Sequence, residues 1–416
     1  MNTTFDTGTS TVVERCQSCS SEGLQTVLFL GYLPPVNKMH PIGTTPHEQP
    51  AYPASLLYCP GCDLVQLGLV VDAKILFPPE YPYTSSTTKI LRDNFAELYE
   101  ECSRLLTIGA DDLIVDIGSN DGNLLSNFKD RHRVLGITPE EIGRIAIDRG
   151  IPTLIDYFTP AVVNRVVQGE GRAKIITATN VFAHIENVHA AIESILELMD
   201  PTGAFISESH YLLPLIETLQ YDTIYHEHLR YYSLHSLRHL LAAHDLEIFH
   251  AKRIPTHGGS IRVYAGHRGV HPIEPSVDRL LADESDVVVG LDSLMTFRDK
   301  VVRSKLELLE LVAGLKAEGA RIHGISAPSR ASTLINYCGL DDGVIDCVLE
   351  IEGSHKIGKY VPGTVIPVVD EKRLYEEQPE FALLFSWHIA DELMPKIRAR
   401  GFTGRFIVPL PTPRIA

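Results

Sequence analysis

The sequence predicts an α/β protein made of two successive doubly wound units behind a small cysteine-bearing module, and three observations predict it. The apolar run Leu113-Ile114-Val115 opens directly onto the turn Asp116-Ile117-Gly118-Ser119-Asn120-Asp121-Gly122. Strand-like runs at Arg133 to Ile137, Lys174 to Thr179 and Ala204 to Ser209 then alternate with helical patterns such as Val188 to Met199, which is a βα chain. The alternation restarts after residue 320, with runs at Ala320 to Ile325, Ile345 to Leu349, Val365 to Val368, Phe381 to Phe385 and Arg405 to Val408. The expected boundaries are 1–75, 76–275 and 276–416.

At 416 residues the chain exceeds one ordinary domain. No apolar run approaches the roughly 20 residues of a membrane span, and the first residues lack a basic-then-apolar signal. The protein is therefore expected in the cytoplasm with no membrane partner. A formal charge of −16 argues against a nucleic-acid substrate, which demands a basic face. Seven cysteines without an export signal favour metal ligation and free thiols over disulfides. Cys102, Cys338 and Cys347 sit in apolar contexts and read as packing residues.

From the N-terminus, Cys16-Gln-Ser-Cys19 and Cys59-Pro-Gly-Cys62 are paired C-x-x-C knuckles. Four thiolates make a closed tetrahedral zinc site whose metal holds structure and leaves no position open for chemistry. A redox pair is the competing reading, but neither knuckle precedes a helix as a reactive thiol requires. The Pro- and His-rich stretch Pro34 to Pro53 is expected to loop out between them. Next, Glu80-Tyr81-Pro82-Tyr83-Thr84-Ser85-Ser86 reads either as a lid over a pocket or as a surface loop with its tyrosines packed down.

The turn after Val115 is not a dinucleotide fingerprint, since G-x-G-x-x-G requires glycine at Asn120 and Asn123. Asp-x-Gly-x-x-x-Gly after a strand instead leaves bare backbone beside a ligand. It resembles the opening signature of class I S-adenosylmethionine methyltransferases. Asp116, Gly118, Asn120, Asp121 and Gly122 are thus candidate cofactor contacts, with Asp116 or Asp121 available to hydroxyls or a cationic centre.

Ligands of doubly wound sheets lie beyond the carboxyl ends of the strands, so Asn180 to His184 and Ser207 to His210 are further candidates. The densest titratable run follows them: Tyr225-His226-Glu227-His228-Leu229-Arg230-Tyr231-Tyr232-Ser233. It is no H-E-x-x-H metalloprotease site, because Arg230 stands where the second histidine belongs. A metal held by these histidines is one alternative. Acid, base and donor roles suit imidazoles beside a carboxylate better, while Ser233 reads as N-cap of a helix from Leu234 to Ala243.

Leu246 to Arg253 and Ser260 to Ala265 read as an antiparallel pair around Thr256-His257-Gly258-Gly259, where the glycines make either a plain hairpin turn or a close backbone approach to a ligand, with His257 a substrate-binding candidate. Leu281 to Glu318 reads as one or two linking helices. In the last unit, Ser326-Ala327-Pro328-Ser329-Arg330-Ala331-Ser332 opens a helix, and such a turn with an arginine suits a phosphate. Lys356 and Lys359 can add to it, although an ordinary βα repeat with surface lysines is also consistent.

Taken in order, the paired knuckles, DIGSNDG, NVFAHI, YHEHLRYYS, HGGSIR, LINYCG, KIGKYVPGTVIP and SWHIADE resemble the sugar C-methyltransferase family that makes branched deoxysugars. The resemblance runs from Cys16 to Phe406. It implies a class I methyltransferase Rossmann-like domain, a small N-terminal zinc-binding domain and a C-terminal Rossmann-like α/β domain. It implies methylation at C-3 of a nucleotide-linked 4-keto-deoxyhexose, usually the dTDP form. Carried onto this chain, it implies a catalytic group of His184, Tyr225, Glu227 and His228 with Tyr81 or Tyr83, and phosphates near Arg330 and Lys356. In that expectation His228 is the base, Glu227 orients its ring, and His184 or Tyr225 donates to the enolate oxygen.

The chain departs from the family at three places. Thr138 stands where a ribose-binding glutamate is common, which makes Glu140 the substitute candidate. Ala327-Pro328-Ser329-Arg330-Ala331 replaces a G-A-S-x-K-G turn, and His388 replaces an asparagine. These changes point to a different sugar or nucleotide. The competing functions are an O- or N-methyltransferase of another small molecule and a non-catalytic zinc-bearing binding protein.

Overall fold

The structure is a computed structural model, and it describes residues 10–46, 48–77, 86 and 88–416. The Tyr81/Tyr83 expectation lies outside the described residues. Among those described, no helix is long and apolar enough to cross a membrane.

The first strand of the central sheet, Leu113–Ile117, is buried along its whole length, as its unbroken apolar run requires of a strand covered on both faces. Across the sheet the strands run Leu246–Ile254, Ser260–His267, Met199–His210, Ala173–Thr179, Leu113–Ile117, Arg133–Thr138 and Thr153–Ile155. The last five are mutually parallel, and Ser260–His267 is antiparallel to both of its neighbours. The order reverses between Leu113–Ile117 and Ala173–Thr179. This is the class I S-adenosylmethionine methyltransferase arrangement.

A second sheet holds the C-terminal unit. It runs Val368–Asp370, Cys347–Glu350, Ile322–Ile325, Phe381–Leu384, Arg405–Val408 and Arg414–Ile415, parallel except for the last strand. Here the order reverses between Ile322–Ile325 and Phe381–Leu384. The strand expected from Val365 begins only at Val368, because Pro367 has no N–H for a ladder and offers only its carbonyl, to Val348 N at 2.8 Å. Two helices link the sheets, Pro275–Glu284 and Leu291–Ala317. Cys102, Cys338 and Cys347 are buried packing residues, as expected.

The N-terminal part adds a four-stranded antiparallel sheet that its sequence pattern did not disclose. Its members are Gln25–Leu33, Tyr52–Tyr58, Val65–Leu67 and, from the central part of the chain, Arg230–Tyr231. The run 225–233 therefore serves three ends. Its first half reaches the site described below, and Arg230–Tyr231 completes the N-terminal sheet. Ser233 then caps the helix Leu234–Ala242 in a reciprocal box with Ser236. Arg230 is buried and ties the parts together through Gln17 Oε1 at 2.6 Å, Tyr232 Oη at 3.0 Å and the carbonyl of Ile185.

Candidate active site

The carboxyl ends of both parallel sheets open into one cavity of about 640 Å³. From the central sheet it is lined by Asp116, Gly118, Asn120, Thr138, Glu140, Asn180 and His184, and from the loop after the fifth strand by Tyr225, Glu227 and His228. From the C-terminal sheet it is lined by Ser329, Arg330, Lys356, Ser386 and His388, and His257 completes it. Residues after both points of strand-order reversal thus face the same space.

The cofactor end is shaped by backbone. Gly118 has φ +74°, and a Cβ there would stand 2.3 Å from Val181 Cγ2. Asn120 and Asn180 take φ of 51° and 57°, the left-handed region that asparagine tolerates best after glycine. Asn180 Oδ1, Ser119 Oγ and Ser209 Oγ are buried without a partner among the described residues. Such orphaned groups in a cavity wall suit a polar ligand that satisfies them. Asp116 accepts from Thr177 Oγ1 at 2.6 Å, and burial pushes its carboxyl up to about 7. Burial also raises the Glu140 carboxyl.

Two of the expected cofactor residues, Asp121 and Gly122, stand outside the cavity lining. The Asp121 carboxylate is buried against Arg149 Nη1 at 3.2 Å. A Cβ on Gly122 would meet Ile151 Cδ1 at 2.7 Å and Ala146 Cβ at 2.8 Å, so that glycine serves the packing of the helix Gly143–Asp148.

The end of the cavity at His228 is a cluster of imidazoles that burial holds toward their neutral form. His228 Nδ1 lies 3.0 Å from the carbonyl of Thr223, and His184 Nδ1 lies 2.5 Å from the carbonyl of Glu227. A carbonyl only accepts, so each Nδ1 carries the hydrogen and each Nε2 keeps its lone pair. Burial holds His184 down at about 4 and His228 well below its ordinary value, with the neighbouring imidazoles adding to the effect on His228. The Tyr225 ring lies 4.3 Å from His228 at 34°. His210, which sequence reasoning noted at the strand end without assigning it, stands 4.7 Å from His228 and 5.7 Å from His257.

The side-chain partners around these residues are specific. His228 is oriented by the Thr223 carbonyl, while the Glu227 carboxylate accepts from Asn37 Nδ2 at 2.7 Å. With its Nδ1 hydrogen given to the Glu227 carbonyl, a neutral His184 presents a lone pair at Nε2. Arg330 reaches the cavity, yet its fork is engaged by Asp222 (Nε to Oδ2, 3.1 Å), Gln220 Oε1 (2.9 Å) and His388 Nδ1 (2.6 Å). Lys356, its Nζ 2.5 Å from the carbonyl of Ala327, and the amino end of the helix Ser329–Cys338 lie beside it.

Away from the cavity, the ligand atoms of Cys16, Cys19, Cys59 and Cys62 all lie within 4.8 Å of one another. The sulfurs of Cys16 and Cys62, and of Cys19 and Cys59, are 3.5 Å apart. Tetrahedral thiolates around zinc stand ~3.8 Å apart, so the quartet fits that metal. Among the described residues it is the one such convergence of His, Cys, Asp or Glu ligand atoms.

Three family models match the chain in succession. Residues 16–77 match a zinc binding domain, residues 90–251 a methyltransferase domain and residues 255–411 a C-methyltransferase C-terminal domain. C-methyltransferase NovU of Streptomyces niveus is 30% identical over 410 residues, covering 97% of each chain. Among solved structures, magnesium protoporphyrin IX methyltransferase of Synechocystis with bound S-adenosylhomocysteine is 14% identical (TM-score 0.32) over 42% of this chain and 82% of its own. The CcbJ methyltransferase of Streptomyces caelestis is 12% identical (TM-score 0.33) over 42% and 89%. The chain belongs to the C-methyltransferase family and is an S-adenosylmethionine-dependent C-methyltransferase with an N-terminal zinc-binding domain.

Proposed function

We propose that the acceptor carbon is C-3 of a nucleotide-linked 4-keto-deoxyhexose, in the thymidine diphosphate form. The observation that carries this reading is the single cavity onto which the reversal points of two nucleotide-type sheets open. Each such point is where a doubly wound sheet receives its ligand. One holds the cofactor through Gly118, Asn120, Thr138, Glu140 and Asn180. The other, with Ser329, Lys356 and the start of its helix, takes the diphosphate. The ordered motifs shared with the sugar C-methyltransferases agree.

A C-4 ketone acidifies the hydrogen on C-3. Nε2 of neutral His228 takes that proton, and its fixed tautomer keeps the lone pair in place without prior deprotonation. The hydroxyl of Tyr225 donates to the enolate oxygen as charge develops there. S-adenosylmethionine supplies the methyl electrophile, and the buried walls exclude water from the carbanionic carbon.

Incubating the enzyme with S-adenosylhomocysteine and a 4-keto nucleotide sugar in D₂O reads the proton step alone. Deuterium is expected at C-3 with wild type, and the exchange should fall about 10²- to 10⁴-fold in His228→Asn. Exchange within about threefold of wild type in that variant rejects the general-base role. A thermal-shift series with thymidine, cytidine, guanosine and uridine diphosphates tests the carrier. Absence of stabilisation by any of the four rejects the nucleotide.

A further inference from the structure

We infer that Asn37, contributed by the zinc-bearing N-terminal domain, is a positioning residue for the methyl-transfer site and acts through Glu227. The inference rests on the reading of that cavity given above and assigns the N-terminal domain a part in the chemistry.

The placement of Asn37 is built from both sides. The edge strand Gln25–Leu33 ends in register with Tyr52 and runs into Pro34-Pro35, whose rings fix the backbone φ. Lys38 N then turns back to the carbonyl of Pro35 at 3.1 Å. Beyond it, the chain is pinned to the C-terminal unit. Tyr360 N donates to the carbonyl of His40 at 2.7 Å, and Ile42 N to that of Gly358 at 2.8 Å. Asn37 is thus held between two anchored stretches at the meeting point of all three parts of the chain.

Its side chain uses both ends. Nδ2 donates to Glu227 Oε1 at 2.7 Å, and Oδ1 accepts from Ser329 Oγ at 3.3 Å. A carboxylate only accepts, so the amide orientation is fixed by chemistry: the donor end must face Glu227. Glu227 and Ser329 both line the cavity. Through its carbonyl, Glu227 also receives the Nδ1 hydrogen that sets the His184 tautomer. Burial drives Lys356 toward its neutral form, opposed first by the charge of Glu350 and then by that of Glu227. One amide from the N-terminal domain therefore holds the side chain of the residue whose main-chain carbonyl sets the His184 tautomer.

Two variants of the full-length zinc-loaded enzyme test this. Asn37→Ala should lower kcat about 10- to 100-fold, the range for a hydrogen bond to a charged group, with affinity for S-adenosylhomocysteine unchanged. Asn37→Asp keeps the shape and replaces the donor by a second carboxylate. Two carboxylates at that spacing bind one proton at a raised pKa, and the protonated pair regains the donor. Its kcat should therefore rise as pH falls from about 8 to 6, a trend that lost packing alone does not produce. A readout independent of the acceptor comes from ¹⁵N imidazole spectra of the S-adenosylhomocysteine complex, in which Asn37→Ala should alter the His184 Nδ1–H signal. Asn37→Ala turning over within about threefold of wild type, with that signal unmoved, overturns the inference. If wild type methylates no 4-keto nucleotide sugar, the substrate reading fails by itself and the imidazole spectrum still decides the role of Asn37.

Discussion

Arg330 and Asp222 form an ion pair across the boundary between the two parallel-sheet units, Nε to Oδ2 at 3.1 Å, with both side chains buried. Trp387, the sole tryptophan of the chain, donates its indole N–H to the same Oδ2 at 2.7 Å, and the guanidinium lies 5.2 Å above its ring. Breaking one half of such a pair strands a buried charge, which typically costs about 3–5 kcal/mol, whereas removing both halves is far less damaging. Arg330→Met alone should therefore lower the urea midpoint strongly, and Arg330→Met with Asp222→Leu should recover most of the loss. Tryptophan fluorescence follows this one interface directly. Equal destabilisation in the single and double variants would show that the guanidinium contributes packing and not charge compensation.

Much of this fold was legible because parallel strands buried on both faces read as unbroken apolar runs. Leu113–Ile117, Arg133–Thr138 and Ala173–Thr179 all lie within a residue or two of the runs that announced them. The N-terminal sheet was not legible, since its fourth strand, Arg230–Tyr231, lies far along the chain inside a run that reads as polar. The candidate site was legible where the strand-end rule applies, at Asn180, His184 and the turn after Val115. It was not legible where tertiary partners intervene. Nothing in Pro34-Pro35-Val36-Asn37 announces a contact with Glu227, and no spacing rule shows that Asp222 engages the fork of Arg330. His210 stood at a strand end and obeyed the same rule as His184, so the signal for it was present.

The histidine cluster and Asp116 should leave opposite marks on stability against pH. His184 is held at about 4, below the 6.5 of a free imidazole, so the unfolded chain binds its proton more readily. Its contribution is whole above about 6.5 and is lost as pH falls toward 4. Asp116 is raised to about 7, so its contribution is whole below about 3.9 and is lost as pH rises through 7. Between pH 4.5 and 7 the slope of the denaturation midpoint against pH should thus shift in the negative direction in His184→Asn and in the positive direction in Asp116→Asn, relative to wild type. Parallel curves for all three proteins would mean that neither group is displaced from its ordinary value.

One zinc per chain is expected from the convergence of Cys16, Cys19, Cys59 and Cys62. Structural zinc of this kind contributes about 10–16 kcal/mol of apparent binding energy at neutral pH, so a stripped N-terminal sheet should lose its order. Arg230 connects that sheet to the carbonyl of Ile185 beside the site, and through this link activity should fall with the metal although zinc performs no chemistry. Elemental analysis after dialysis against a chelator, alongside methyl transfer on the same samples, checks both. Full activity in Cys62→Ser protein shown to be zinc-free would separate the metal from the site.

Cofactor binding should weaken on adding a single methyl group at Gly118. Two costs coincide there. The backbone sits at φ +74°, which a side chain strains, and the new Cβ would stand 2.3 Å from Val181 Cγ2, a residue of the same cavity wall. Strain of this kind is worth about 1–2 kcal/mol, and the clash must push Val181 toward the ligand's space or away from its own packing. Gly118→Ala should therefore reduce S-adenosylhomocysteine affinity at least about tenfold by calorimetry, with the zinc content unchanged. Adding Val181→Ala relieves the clash and leaves the backbone cost, so affinity should return only in part. Wild-type affinity in a folded Gly118→Ala protein would move the cofactor away from this turn, and with it the assignment of Asn120 and Asn180.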